Sequence, residues 1–334
     1  MIRFLAFCAA VATFAACNDW TEMETVDSKV EKPWEQDPAL WAEYTAALRA
    51  YKQSEHFIVY ARLHNSPEKA SSEQDFMRCL PDSLDIVTLT NADNFSKFDA
   101  EDMDVMREKG TKVLYQVDYA ARAEEFVDMQ ALDAYLDRVV AAVAANGMDG
   151  YSFTTDPLAT DATARIVEKF AAAKSEGQLL VFEGNPLSLA AADRPKVDFI
   201  ALDTEKLENV QEVKLQVLNA TGYAGIAPEK LLLAAEISAP LRDEDRTEFA
   251  AVDEIYPSNC NSQKRNLVPA RTTSAPLRDE DRTEFAAVDE MSRRVIEFGP
   301  LGGLAAYNIS GDYYHAEMNY QTIRGAIQTL NPAK

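Results

Sequence analysis

The stretch Gly147-Met148-Asp149-Gly150-Tyr151-Ser152-Phe153-Thr154-Thr155-Asp156 ends one periodicity and begins another. Before it, residues 128–146 carry Leu132, Leu136, Val139, Val140 and Val143 at helical spacing, one apolar stripe. Asn146-Gly147 closes that helix, because glycine enters the left-handed conformation of a C-cap without a Cβ penalty. Beyond it the period falls to two. Tyr151 and Phe153 take one face and Ser152, Thr154 and Asp156 the other, which predicts a short strand with a polar inner side.

Outward from this point the same alternation recurs. Strand-like runs fall at 57–63, 85–90, 112–117, 179–183, 199–203, 231–236 and 304–309. Helical patterns fall near 72–80, 100–109, 161–175, 187–192, 208–220, 283–298 and 318–329, besides 128–146. Eight strands alternating with eight helices predict an α/β fold, a (β/α)8 TIM barrel in one domain. An open doubly wound sheet is the alternative, but no glycine-rich phosphate loop supports it. The barrel domain is expected over 37–334, opening with a helix from Asp37 to about Gln53.

Composition narrows the partners. The 334 residues are 47% hydrophobic, enough for a large core, and the formal charge is −22. Such a surface repels nucleic acid and anionic membranes. His56, His64 and His315 are widely separated and the Cys residues show no ligand spacing, so neither metal nor cofactor is expected. Ligands of parallel barrels meet the C-terminal strand ends. The polar residues there include Arg62, His64, Gln116, Asp118, Ser152, Thr154, Asp156, Glu183, Asp203, Glu205, Glu236, Tyr307 and Asn308.

Asp149-Gly150, followed by inward places at Ser152, Thr154 and Asp156, resembles the fourth strand of family 18 glycoside hydrolases, which reads Asp-Gly-x-Asp-x-Asp-x-Glu. Gly302-Gly303-Leu304-Ala305-Ala306-Tyr307 resembles the same family's eighth strand, with Tyr307 in the place of a Trp. The resemblance implies a chitinase or endo-β-N-acetylglucosaminidase barrel whose acid is a Glu and whose nucleophile is the substrate's own acetamido group. Here Thr154 stands in the place of the Asp that orients that group, and Asp156, one methylene shorter, in the place of the acid. Losing either role costs on the order of 10²–10⁴ in rate. Ser152 also removes the like charge that helps raise the acid's pKa. The third-strand Ser-x-Gly-Gly of the family is replaced by Gln116-Val117-Asp118-Tyr119, and its sixth-strand Tyr motif by Asp203-Thr204-Glu205. The resemblance therefore implies a sugar-binding barrel without its chemistry, with Asp118, Ser152, Thr154, Asp156, Glu183, Asp203, Tyr307 and Asn308 as ligand-binding residues. Asp156 is the catalytic residue if a weak or altered glycosidase activity survives, and an interaction lipoprotein without a sugar ligand is a third reading. The ligand class implied is an N-acetylglucosamine-containing glycan, an N-glycan or a chitooligosaccharide.

Residues 1–17 read as a leader. Arg3 precedes an apolar run too short to span a bilayer, and Phe14-Ala15-Ala16-Cys17 resembles a bacterial lipobox, with Cys17 as the lipidated residue. Asn18, Asp19, Glu22 and Glu24 resemble the surface-export signal of Bacteroidetes lipoproteins. Residues 18–36 then form a polar tether. An outer-membrane lipoprotein at the cell surface is expected, held to the membrane by its lipid alone, with glycan-import proteins as partners.

One segment is written twice. Residues 238–254 recur unchanged as 274–290. Two identical copies are too few and too similar for a structural array, so 255–290 reads as a duplicated insertion. The second copy runs into Met291-Ser292-Arg293-Arg294-Val295 and places Phe285, Val288, Met291, Val295 and Phe298 on one helical face. The first runs into Ile255-Tyr256-Pro257, where a helix stops. The barrel helix is therefore expected from the second copy, with 255–273 as an exposed loop.

Overall fold

The computed structural model describes residues 32–67, 69, 72–243 and 284–332. The leader with Cys17, most of the tether, Cys260 and the loop at 255–273 lie outside the described residues. The chain divides into units Met1–Tyr44 and Thr45–Lys334. In the first, the helix α1 (Pro33–Gln36) and the opening turns of α2 (Pro38–Gln53) form an aromatic ladder, with Trp34 against Trp41 and Trp41 against Tyr44.

The second unit is a closed parallel barrel. Its strands are β1 (Ile58–Leu63), β2 (Ile86–Leu89), β3 (Lys112–Asp118), β4 (Gly150–Thr154), β5 (Leu179–Glu183), β6 (Phe199–Leu202), β7 (Leu231–Glu236) and, after a two-stranded hairpin of β8 (Pro240–Arg242) and β9 (Glu284–Ala286), β10 (Gly303–Tyr307). The ring runs β1-β10-β7-β6-β5-β4-β3-β2, so β10 stands directly across the barrel from β4. All eight expected strands are present. The crossover helices are α3 (Lys97–Lys109), the short α4 (Tyr119–Arg122), α5 (Met129–Asn146), α6 (Thr160–Ala173), α7 (Val210–Leu218), α8 (Ala287–Glu297) and α9 (Gln321–Leu330). Among the described residues no helix is long and apolar enough to cross a membrane.

Two expected helices are corrected. Residues 72–80 form two separate 3-10 turns, because Phe76 between them is extended (φ −110°, ψ 134°). Residues 187–192 form no α-helix either. The Asn185 side chain accepts from the Leu187 amide at 3.0 Å and closes a 3-10 turn that begins at Pro186. The hairpin β8–β9 was not expected. It joins the beginning of the first duplicated copy to the end of the second, with Leu241 opposite Phe285. Past it, α8 buries Val288, Met291 and Val295, the face expected of the second copy.

Strand parity sorts the side chains. Outward residues such as Tyr151 pack on the helices, its ring stacked on Phe170 at 4.4 Å. Inward residues build a separate inner core of Tyr60, Ile86, Leu114, Val181, Ala201, Leu232, Ala234, Ala305 and Tyr307. Two strands begin where backbone passes too close for any Cβ. At Gly150 (φ +135°) a Cβ would lie 2.0 Å from the Leu179 carbonyl oxygen, and at Gly303 (φ +156°) 1.9 Å from that of Ile58. These are the glycines that carried the resemblance.

The N-terminal ends of the strands share one device. The Asp just before β2, β4 and β6 accepts a backbone N–H from the neighbouring strand. Asp85 takes Val59 at 2.8 Å, Asp149 takes Val113 at 3.0 Å and Asp198 takes Leu180 at 2.8 Å. Each also holds a cation or imidazole: His56 at 2.8 Å, Lys112 at 2.8 Å and Lys174 at 2.6 Å. Asp149 is thus one of three carboxylates that satisfy backbone donors where the ladders start.

Candidate ligand site at the barrel mouth

Parity carries the polar residues of sequence interest to the C-terminal mouth. Arg62 follows Tyr60 on the inner side of β1, Gln116 and Asp118 follow Leu114 on β3, and Glu183 follows Val181 on β5. Glu183 is buried at 4% exposure and its carboxylate is the centre of a closed web. The Tyr60 hydroxyl donates to it at 2.5 Å, Arg62 Nε at 2.5 Å and Gln116 Nε2 at 2.9 Å, and a second Arg62 nitrogen completes the ion pair. The Arg62 guanidinium lies 3.5 Å from the centroid of the Tyr307 ring, covering one face of it. Burial works against the Arg62 charge, but Glu183, Tyr307 and Tyr60 outweigh it and hold the guanidinium above its ordinary value. Burial, with the Glu183 charge, pushes the Tyr60 phenol well up. Tyr307 is raised by burial against the pull of Arg62, so both phenols stay protonated.

The inner residues of β4 are engaged next to this web. Ser152 is fully buried and shares a hydrogen bond of 2.5 Å with Thr88 on β2. Thr154 donates to Asp118 at 2.7 Å, and the same Asp118 oxygen caps the Ala121 amide at 3.1 Å. Asp156 lies past the strand, where its carboxylate accepts from the Leu158 amide at 2.8 Å and closes its own loop.

The end of β6 differs. Asp203 Oδ1 and Glu205 Oε2 are buried without a hydrogen-bond partner among the described residues. The nearest cation, Lys206, is 3.9 Å from Glu205. Burial, then the Glu205 charge, raises the Asp203 carboxyl to about 6. Among the described residues no group of three or more His, Cys, Asp or Glu side chains is placed to hold a metal ion.

The family 18 glycoside hydrolase profile of BT1044-like type matches residues 21–138. No curated protein sequence matches the chain. Among solved structures, a selenomethionine Glu→Gln variant of BT1044 superposes with a TM-score of 0.63 at 17% identity, over 90% of this chain and 96% of that one. An endo-β-N-acetylglucosaminidase from Cordyceps militaris gives 0.58 at 14% identity, over 87% and 96%. A chitinase from Bacteroides thetaiotaomicron gives 0.57 at 8% identity, over 83% and 97%. This chain has the barrel fold of these structures and resembles family 18 over its first third.

The profile match stops before β4, so the strand that would bear the family's acid lies outside it. In this barrel the three places on and after β4 are a buried hydroxyl pair, a hydroxyl donating to Asp118 and a carboxylate with one oxygen accepting from its own loop. The Trp place on the eighth barrel strand holds Tyr307, 4% exposed. Asn308 follows it in the left-handed conformation (φ 57°) and is exposed. Both line a cavity of about 250 Å³ with Arg62, His64, Thr90 and Glu236. The structure thus joins Glu183 and Tyr307 through Arg62, and Asp118 to Thr154. It leaves Asp156 in its loop and pairs Asp203 with Glu205, both close enough for their charges to raise the Tyr307 phenol. Tyr60 and Thr88 were missing from the sequence reading, although their parity with Arg62 and Thr90 on the same strands was a usable signal.

Proposed function

We propose that this protein is a glycan-binding lipoprotein on a catalytically silent family 18-like barrel. The observation that carries the reading is the fate of Asp156. The acid's place holds a shorter side chain, and one of its carboxylate oxygens is already engaged by the Leu158 amide. Glu183, a buried carboxylate on the inner side of β5, is already engaged by Arg62 and two further donors, Tyr60 and Gln116. A cavity lined by an aromatic ring and polar side chains remains at the mouth, as saccharide recognition needs. Among the structures of like fold is YKL-39 in the presence of chitooligosaccharides (TM-score 0.57, 10% identity). That supports a β-linked, N-acetylglucosamine-containing glycan as the ligand class.

The leader points to attachment through Cys17 at the outer membrane, where the barrel would present glycan to import proteins. The test is a glycan array read beside a product assay on the purified protein. Binding without released sugar over hours is the expected result. Turnover that Asp156→Ala abolishes would instead identify a weak or altered glycosidase.

A further inference from the structure

We propose that the mouth cavity between β1, β7 and β10 is a subsite for one amino-sugar ring carrying a free ammonium group, with Glu236 as the recognising carboxylate. The inference rests on the glycan-binding reading and adds to it the chemistry of one unit. In register, Glu236 at the end of β7 lies beside Tyr307 at the end of β10. Both have the inward parity of Ala234 and Ala305, so they face the axis at the same level. The cavity measures about 250 Å³, below the roughly 300–1,000 Å³ of common small-molecule pockets, which suits one ring rather than a chain.

The wall's charge selects the ring. Its one arginine, Arg62, is matched by Glu183 and cannot serve an anionic sugar. His64 shares a hydrogen bond of 3.2 Å with Thr90. Against these stands Glu236, while Asp75, 8% exposed, has an interaction of its own. The Glu236 carboxylate makes no hydrogen bond or ion pair with any described residue. A neutral ring laid over it would take water from a charge and return only hydroxyl donors, whereas an ammonium returns a charge-assisted hydrogen bond. The neutral polar residues of the wall, Thr90, Asn308 and Ser310, offer hydrogen bonds to either kind of ring and so do not decide between them. Across the barrel, the hydroxyl that stands in the orienting place already donates to Asp118. The ligand that fits is a β-linked glucosamine oligomer in which at least the unit in this cavity has lost its acetyl group.

The experiment is calorimetric titration of the purified protein with two probes, the fully acetylated chitotetraose and the glucosamine tetramer, on wild type, Glu236→Gln and Glu236→Asp. The expected result is at least tenfold tighter binding of the glucosamine tetramer by wild type. Glu236→Gln should abolish that preference while leaving affinity for the acetylated tetramer within about twofold, and Glu236→Asp should retain part of it. Equal or tighter binding of the acetylated tetramer by wild type, or a preference that survives Glu236→Gln, overturns the subsite and leaves the glycan reading intact. Failure of every glycan on the array to bind overturns both.

Discussion

The two ends of the barrel use carboxylates in opposite ways. At the N-terminal ends of the strands, Asp85, Asp149 and Asp198 each have a backbone amide and a basic side chain. At the C-terminal ends, Glu183 is satisfied entirely by side chains, while among the described residues Asp203 Oδ1, Glu205 Oε2 and the Glu236 carboxylate have no hydrogen-bond partner. A carboxylate bound to backbone holds a ladder in register. A carboxylate bound to side chains fills the axis. One with no protein partner costs stability when desolvated and is available to a ligand.

Breaking the side-chain web should have the largest effect. Glu183→Gln leaves a part-buried Arg62 charge without its counter-ion, and a loss of about 2–4 kcal/mol is expected by urea denaturation, less than for a fully buried pair because Arg62 keeps some contact with water. If the loss is below about 1 kcal/mol, the web is not what fills the axis. At the other end, Asp149→Ala removes the acceptor of the Val113 amide and should cost about 1–3 kcal/mol, with Asp85→Ala and Asp198→Ala alike. Three unequal costs would show that the shared geometry is not a shared function.

Asp203 should act through pH. Its folded value of about 6 lies above that of an unfolded Asp, so the native state binds the extra proton between roughly pH 4 and 6. Stability from this group therefore falls as pH rises through that window. Asp203→Asn should raise the melting temperature at pH 7 and flatten the difference between pH 5 and 7. A variant whose melting profile parallels wild type would place Asp203 in solvent.

The smallest effect is expected from the largest change. The hairpin β8–β9 uses the start of one duplicated copy and the end of the other. Deleting 255–290 restores a single copy with both strands, a five-residue connection at 243–247 and the run into Met291. The melting temperature should be unchanged or higher. A deletion variant that fails to fold would make the insertion integral to the barrel.

The fold was legible because buried parallel strands read as nearly continuous apolar runs, such as Leu231 to Ala235, and because their helices carry wide stripes. The short hairpin was not, since three residues per strand give no periodicity. The site was legible only in part. Parity on β4 placed Ser152 and Thr154 inward, but no local pattern joins Arg62 to Glu183, which lie 121 residues apart. Nor does sequence reveal that Asp156 turns to its own loop. Asp149-Gly150 had two readings, a family signature and a plain turn into a strand, and its contacts at the strand start fit both.

The doubled segment also gives the hairpin a choice of partner. Glu-Phe-Ala occurs at 248–250 as well as at 284–286, so Pro240–Arg242 meets the same chemistry at either. The nearer partner would close residues 243–247 and the observed one closes 243–283, about three doublings of loop length and on the order of 2 kcal/mol in closure entropy. What selects the distant partner is its covalent continuation into α8, whose buried face only the second copy can extend. The chain is thus locally degenerate and globally determined, and two molecules at high concentration have the means to trade identical strands.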